Sequence, residues 1–540
     1  MAGGFFGTAA ESWRMFSGVE KRNIAIYIGG IMLYKFGLEA FNGSIVALAT
    51  NRYDNEAKVN GTTARTFERV GLLVGLNQAF QCVGSILIAP LIKRFQTKMV
   101  LAVAIFVFAI FTALLMIIDA ATGGTLKPKG AKSSDWSYYG SYNTDGMIPI
   151  YCLTGIAYGM VELIRRVIPR DIVGGNVQKL RRMDALVHIF YEIAGTSGAF
   201  CTALGLIPYF GNNFSFIITP ICFTCAAGVW FLISRLGTPI SAEEERSRLA
   251  RTEKPNYIKS ISASIFLFFQ SIWTGGKIIF TSRRYIWLLP GYTFALYGHR
   301  YVENGVSPAI ARRYLGNSAW SQIMVGGSNF GELLGALFVF LFTNLVTTPM
   351  PWLRLDALML LIPWPVYLSS WYPPRGDVNQ AWIVAGTFIP VSFGWAAGDV
   401  SLAAYIQATL ARKEAETKNV SALGAVMAFL YSTYIVIYAI TSPLLGRYID
   451  RVSARNNGDI HEAIQNVAGV QFTIIAALMI AATFVPKGAV AFNPKNLYGE
   501  DLAHDVGQTY EKDRESSDGE LKDEKAVMNA AVKPGGGPPL

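Results

Sequence analysis

Residues 33–44 read LYKFGLEAFNGS and lie inside an apolar run, from about Ile24 to Ala49, long enough to cross a ~30 Å hydrocarbon layer. Lys35 and Glu39 stand one helical turn apart within it, so they share a face and can partly neutralise each other. An ionised group at the bilayer centre costs at least ~2.5–3.5 kcal/mol, so such a face turns toward a bundle interior or a watered cavity. A helix carrying this pair therefore needs partners.

The rest of the chain supplies them. Of 540 residues, 52% are hydrophobic and 16% charged, a balance that one soluble core could hardly absorb. About twelve apolar stretches of membrane-spanning length recur, split by short polar loops. They lie near 24–47, 67–91, 99–120, 147–165, 185–208, 213–235, 285–305, 318–343, 355–372, 380–409, 420–445 and 463–485. An all-α polytopic membrane protein is the expected class. The N-terminal MAGGFFGTAAESWRMFSGVEKRN has no secretory-signal pattern, so the first span is expected to direct its own insertion.

The formal charge of +10 bears on topology more than on nucleic acid, which is not expected as a partner. With the N-terminus inside, the inner loops hold Lys93, Arg94 and Lys98, then Arg165, Arg166, Arg170, Lys179, Arg181 and Arg182, a basic run from Arg235 to Arg284, and Arg412, Lys413 and Lys418. The outer loops hold fewer, so both termini are expected in the cytoplasm. The sequons Asn60-Gly-Thr62 and Asn213-Phe-Ser215 fall in outer loops, where glycosylation is expected in a eukaryotic cell; Asn419-Val-Ser421 falls inside. All five cysteines, Cys82, Cys152, Cys201, Cys222 and Cys225, fall within spans and read as small buried apolar residues, against a disulfide framework or a zinc site.

Two segments break the pattern. A polar stretch, 238–260, separates six spans from six and reads as a linker. SISASIFLFFQSIWTGGKIIF after it reads as an interfacial helix in preference to a thirteenth crossing. The tail from about Asn496 has too little apolar content to fold. The expected division is a cytoplasmic N-terminus at 1–22, a six-helix bundle at 23–236, a linker at 237–283, a second six-helix bundle at 284–487 and a disordered tail at 488–540. The halves resemble each other. VGLNQAFQCVGS (74–85) set on VGGSNFGELLGA (325–336) without a gap matches Val74 to Val325, Gly75 to Gly326, Gln81 to Glu332 and Gly84 to Gly335, and LYKFGLEAFNGS faces LYGHRYVENGVS (296–307). A parallel repeat of six spans is a known way to build a substrate path between two halves.

This architecture resembles the major facilitator superfamily, whose fold is two six-helix bundles joined by a cytoplasmic linker; the resemblance covers roughly 22–486. The family's loop between spans two and three reads Gly-x-Leu-Ala-Asp-Arg-x-Gly-Arg-Arg, and APLIKRFQTK (89–98) retains only Leu91, Arg94 and Lys98 of it. Ala89 and Gln96 stand for glycines and Lys93 for the acid, which puts the motif's charge relay in doubt. RRVIPRDIVGGNVQKLRRMDALVHIFYEIAGTSGAF (165–200) fits the family better. Gly195 and Gly198 there would allow close helix packing. GRYIDRVSAR (446–455) imitates the missing motif but follows span eleven, outside, and reads as a decoy.

The resemblance implies that spans one, four, seven and ten line a central cavity. Candidate groups for substrate or proton coupling are Lys35, Glu39, Glu162, Glu192, His299, Arg300, Glu303, Glu332 and Asp399; polar cavity candidates are Asn77, Gln78, Gln81 and Asn329. Each has a plainer reading. Lys35 with Glu39 could be a packing pair, Arg300 and Glu303 could reach solvent at an outer end, Glu162 could pair with Arg165 or Arg166, and His188 with Glu192 could satisfy each other. Glu332 and Asp399 lack a partner on their own helices. The amides serve equally as interhelical hydrogen bonds.

The leading expectation is a monomeric secondary active transporter of a small solute, coupled to protons through one or more of Glu39, Glu192, Glu332 and Asp399. A divalent-metal transporter, with His188 or His299 beside carboxylates, is a narrower variant. A transport-inactive receptor or scaffold with this fold is the alternative. No Walker loop occurs, no cofactor is expected, and four scattered histidines supply no catalytic cluster. A plasma membrane or a vacuolar or other internal membrane is the expected residence.

Overall fold

The computed structural model describes residues 13, 16–131, 135–173, 177–234, 257–342, 346, 348–368, 377–410, 422–492, 494 and 497. The linker before Tyr257, the loop with Arg412, Lys413, Lys418 and the Asn419 sequon, the tail beyond 497, and the side chains of Lys93, Arg94, Arg166, Arg170, Arg181 and Arg182 lie outside that description.

The described residues form no strand. Helix α1, Gly18–Val59, starts at a capping box: Ser17 Oγ accepts from the Glu20 amide at 3.2 Å while Glu20 Oε2 accepts from the Ser17 amide at 2.6 Å, which satisfies two otherwise orphaned donors. It is followed by α2 (Thr66–Arg94), α3 (Thr97–Ala121), α4 (Met147–Val173), α5 (Val177–Cys201, continued by Thr202–Leu206 and Ile207–Phe210) and α6 (Ile218–Phe231). Then come α7 (Tyr257–Thr281), α8 (Leu289–Phe294, Ala295–Tyr301, Val302–Val306 and Ser307–Arg313 in one run), α9 (Ser321–Phe342), α10 (Met350–Met359, then Trp364–Leu368), α11 (Val378–Leu410), α12 (Ala422–Arg455) and α13 (His461–Ile464, Gln465–Val470 and Gln471–Ala482). Each expected span has a helical counterpart. Among the described residues, nine helices are long and apolar enough to cross a membrane by length and composition, α7 included.

Several helices differ in extent from the expected spans: α1 runs to Val59 where span one is expected to end at 47, and α12 to Arg455 where span eleven is expected to end at 445. Span seven is expected to end at 305, but α8 runs to Arg313 through a π turn at Val302–Val306, and this carries two arginines onto a neighbouring helix. Span nine begins earlier, at Met350, and is interrupted around Pro363, where the ring removes a backbone donor.

α1 packs on α5 and α6, α2 on α4, and α9 on α11, which α10 also contacts. Across the repeat, α2 packs on α12 and α5 on α9. The glycines matched by the repeat do the same work twice. Gly84 on α2 sits against the Ile156 carbonyl of α4, and Gly335 on α9 against the Phe393 carbonyl of α11; Gly75 faces Ala439 of α12 and Gly326 faces Phe200 of α5. A side chain at these positions would hold the backbones apart.

We call the end where α1 begins basal and the opposite end distal. The distal end is shut by contacts between the two repeats. Asp54 on α1 accepts from Arg312 Nε at 2.6 Å and from Arg313 Nη1 and Nη2 at 2.9 Å. Asp450 on α12 accepts from the amides of Phe67 and Glu68 at 3.2 and 2.9 Å, capping the first turn of α2. Asp450 belongs to GRYIDRVSAR, so that stretch, read as a decoy, is part of the seal. Gly71 and Gly446 bring α2 and α12 together backbone to backbone.

Two sequence expectations are corrected here. Asn213 is 1% exposed, and its amide donates to Asp119 Oδ2 at 2.8 Å and to the Thr125 and Tyr138 carbonyls; a glycan could not be attached to it in this fold. Asn60 is exposed. Of the cysteines, Cys152 and Cys222 are buried, but Cys201 and Cys225 are exposed, because an apolar span offers its residues both to protein and to lipid.

Candidate functional site

A cavity of about 660 Å³ lies between the two repeats, large enough for a drug-sized solute. Its wall runs from Pro308 and Gln322, near the distal seal, to Ser85, Arg165, Ala403 and Met427, near the basal ends of their helices. The path from the cavity therefore faces the basal side.

The structure brings most of the expected residues together on this wall: Lys35, Glu39, Glu162, Glu192, Arg300, Glu303, Glu332 and Asp399, with Asn77, Gln78 and Gln81. They come from α1, α2, α4, α5, α8, α9 and α11. Arg300 and Glu303 do not lie at an outer end: α8 continues past them, and Glu303 is only 5% exposed. His299 and Asn329 are buried behind the wall rather than lining it.

Each lining cation is paired with a carboxylate. Lys35 Nζ meets Glu39 Oε1 at 2.5 Å, Arg165 Nη2 meets Glu162 Oε2 at 2.8 Å and Arg300 Nη1 meets Glu303 Oε2 at 2.8 Å. The ring of Tyr191 lies under two of them, with Lys35 Nζ at 4.5 Å and the Arg165 guanidinium carbon at 4.6 Å from its centre, a cation–π arrangement. Tyr34 adds a hydroxyl to Glu162 at 3.1 Å.

Glu332 does have a partner, on another helix: His299 Nε2 lies 3.1 Å from its Oε1 and 3.8 Å from Glu303 Oε1. Ser328 and Ser392 close around the same ring nitrogen at 3.3 and 3.1 Å, and Trp395 stacks on the imidazole. One ligand atom from each of His299, Glu303 and Glu332 falls within 4.8 Å of the others, a nitrogen-and-carboxylate set of the kind that holds divalent transition metals.

Glu192 is different. It is 1% exposed, its Oε2 has no hydrogen-bond partner, and neither does His188 Nε2. The plainer reading, in which these two residues satisfy each other, is thus not what the structure shows. Buried charge without a partner is costly, so this carboxyl calls for a proton or a cation.

The amides divide between structure and surface. Asn77 Nδ2 donates to the Tyr151 carbonyl at 2.7 Å, Gln81 donates to Asn77 Oδ1 at 3.1 Å, and Gln78 Oε1 accepts from Tyr434 across the repeat boundary at 2.5 Å. Asn329 Nδ2 is buried and unpartnered. Sequence reading did not single out Tyr191, Asp54 or Asp450 as functional; their partners lie on other helices, and no local spacing marks them.

No family model matches the chain, and no curated protein sequence does. Solved structures do. The nucleoside transporter NupG aligns with TM-score 0.52 at 12% identity over 86% of this chain and 100% of its own. The proton:xylose symporter XylE, bound to a bromodeoxyglucose, aligns with TM-score 0.52 at 12% identity over 87% and 96%. XylE from E. coli in an inward-open conformation aligns with TM-score 0.54 at 11% identity over 86% and 95%. Similarity at this level of identity speaks to architecture and leaves cargo open. The chain has the fold of the major facilitator superfamily transporters.

Proposed function

We propose that this protein is a secondary active transporter that carries a small solute by alternating access, coupled to protons. In this reading the helices of 23–236 and 284–487 rock as two bundles joined through 237–283, and the basal side is cytoplasmic. One observation carries the proposal: a solute-sized cavity lined by paired charges, shut at the distal end by contacts that cross between the repeats. Such contacts can be exchanged for others at the basal end, which is what alternating access requires.

Among the proton-carrying candidates Glu39, Glu192, Glu332 and Asp399, Glu192 is foremost, since a proton would relieve a buried carboxyl whose Oε2 has no partner. Purified protein in proteoliposomes with an internal pH dye tests the reading against sugars, organic acids, peptides, amines and divalent metals. A solute-dependent proton flux that Glu192→Gln abolishes at unchanged protein level is expected. Flux with an unaltered pH profile in the Glu192, Glu39 and Asp399 carboxamide variants would remove the proton role. Silence across the panel would favour the transport-inactive receptor.

The cluster of His299, Glu303 and Glu332 favours a second reading, in which the cargo is a divalent metal ion. Uptake of Mn²⁺ that is lost in His299→Ala while organic solutes remain unmoved would establish it in place of the first.

A further inference from the structure

Among the described residues lining the cavity, three cations face six carboxylates: Lys35, Arg165 and Arg300 against Glu39, Glu162, Glu192, Glu303, Glu332 and Asp399. The three cations are each held by a carboxylate one turn away on the same helix. An anionic solute would have to take one of these cations from its partner and leave that partner buried and unpaired, at a cost of several kcal/mol. Glu332 is met by His299 at 3.1 Å, and a neutral solute would leave the buried Glu192 Oε2 without a partner.

The surplus is concentrated around Lys35. This one ammonium is in the electrostatic reach of Glu39, Glu192 and Glu332 and is already bonded to the first. Glu192 Oε2 is buried with no hydrogen-bond donor. Aromatic rings continue the wall, Tyr158, Trp395, Tyr431 and Tyr434 among them, and Tyr191 already carries two cations on its ring. Carboxylates with nearby ring faces suit a charged nitrogen attached to an apolar body.

From this we infer that the solute is a small organic cation, a protonated amine with an aromatic or apolar body, whose ammonium is received by Glu192. The inference rests on the transport reading for its physiological meaning, but binding can be measured without turnover. A proton and the ammonium are alternative occupants of the same carboxylate, so an ionised Glu192 is the form that takes the amine. A free metal ion would fill the charge and leave the ring faces unused.

The experiment is equilibrium binding of tritiated phenethylamine to the purified full-length chain in detergent, with 2-phenylethanol, phenylacetate and Mn²⁺ as competitors. A hydrogen bond to a charged group is worth enough to make the amine bind at least about tenfold more tightly than its alcohol isostere, with phenylacetate weaker than either. Glu192→Gln should erase most of that amine preference and leave the alcohol nearly unaffected, provided the variant keeps its gel-filtration profile. If it does not, the ranking of the three competitors on the unmodified chain still decides. Equal or tighter binding of alcohol or acid, binding of none of the three up to millimolar concentration, or Mn²⁺ binding with the amine rejected would each overturn the inference. Amine binding without flux in proteoliposomes would uphold it and count against the transport reading alone.

Discussion

Breaking the distal lock should change which end of the cavity is open. Among the described residues Asp54 is the carboxylate that Arg312 and Arg313 share, at 2.6 and 2.9 Å, and Thr66 donates its hydroxyl to it at 2.5 Å. The Arg313 guanidinium also lies 5.1 Å from the centre of the Phe67 ring. Replacing Asp54 by Asn leaves two guanidinium groups side by side in a partly buried site. Removing one partner of a buried pair costs 3–5 kcal/mol, and the remaining exposure of the two arginines argues for the lower end, about 3 kcal/mol. In the alternating-access reading this cost falls only on the state in which α1 and α8 touch at the distal end. It therefore shifts the equilibrium between states about a hundredfold toward distal opening. Spin labels on Val59→Cys and Ala454→Cys, in a background with the five native cysteines replaced, would report the distal separation by pulsed electron paramagnetic resonance. The expected result is a longer, broader distance distribution in Asp54→Asn, with the short distance regained in Asp54→Arg combined with Arg312→Asp and Arg313→Asp. An unchanged distribution, with thermal stability lowered, would show that the cluster holds the fold together and does not discriminate between states.

The contact of α2 on α12 predicts a related outcome. In Gly71→Leu the new Cβ would fall 2.7 Å from the Ser442 backbone, so the same label pair should report a distal end that no longer closes while the protein still elutes as a folded species. Lys35→Met strands Glu39 in the cavity wall and should lower thermal stability by about 3–5 kcal/mol, with most of it recovered in Lys35→Met/Glu39→Leu; a double variant no better than the single would deny the pair its structural share. In a eukaryotic host, any mobility shift removed by endoglycosidase should vanish in Asn60→Gln and persist in Asn213→Gln, and the reverse pattern would contradict the burial of Asn213 against Asp119. Arg52→Ala should expose the segment between α3 and α4 to proteolysis, because it removes the guanidinium that bonds Asp119 at 2.8 Å and the Gly140 carbonyl at 3.0 Å.

What could be read from the sequence was what depends on composition and on short spacing. The apolar runs placed the helices, and the i,i+4 interval of Lys35 and Glu39 yields the pair that is observed. The glycine matches between residues 74–85 and 325–336 point to a repeat, and the matched positions make equivalent close approaches in its two halves. What failed depends on the third dimension. His188 and Glu192 have the same spacing as Lys35 and Glu39 but make no bond to each other, since spacing brings two side chains within range and the surroundings choose the partner. Asp54 and Arg313 are separated by 259 positions, and no local pattern could join them. Asp450 sits in a stretch set aside because it resembled a family motif in the wrong place, yet its carboxylate caps a helix almost four hundred residues away. The Asn213 tripeptide is a covalent signal that carries no information about burial.

The layout of α8 connects the cavity to the lock. His299, Arg300 and Glu303 stand near its middle and Arg312 and Arg313 at its distal end, and between them the backbone passes through the π turn Val302–Val306. π turns inside helices are frequent at functional sites. Glu303 itself lies in that turn, bonded to Arg300 on its own helix and to Ser328 of α9 at 2.7 Å. In the transport reading, a cation arriving beside Glu303 competes for the carboxylate that Ser328 of α9 bonds, and the same helix carries Arg312 and Arg313 to Asp54. Coupling between the two sites requires that this helix have two arrangements, one favoured by cavity charge and the other by the lock. In the alternating-access reading the charge pairs in the cavity wall and the distal seal act on one equilibrium, and weakening the Asp54 lock should therefore alter amine binding in the cavity.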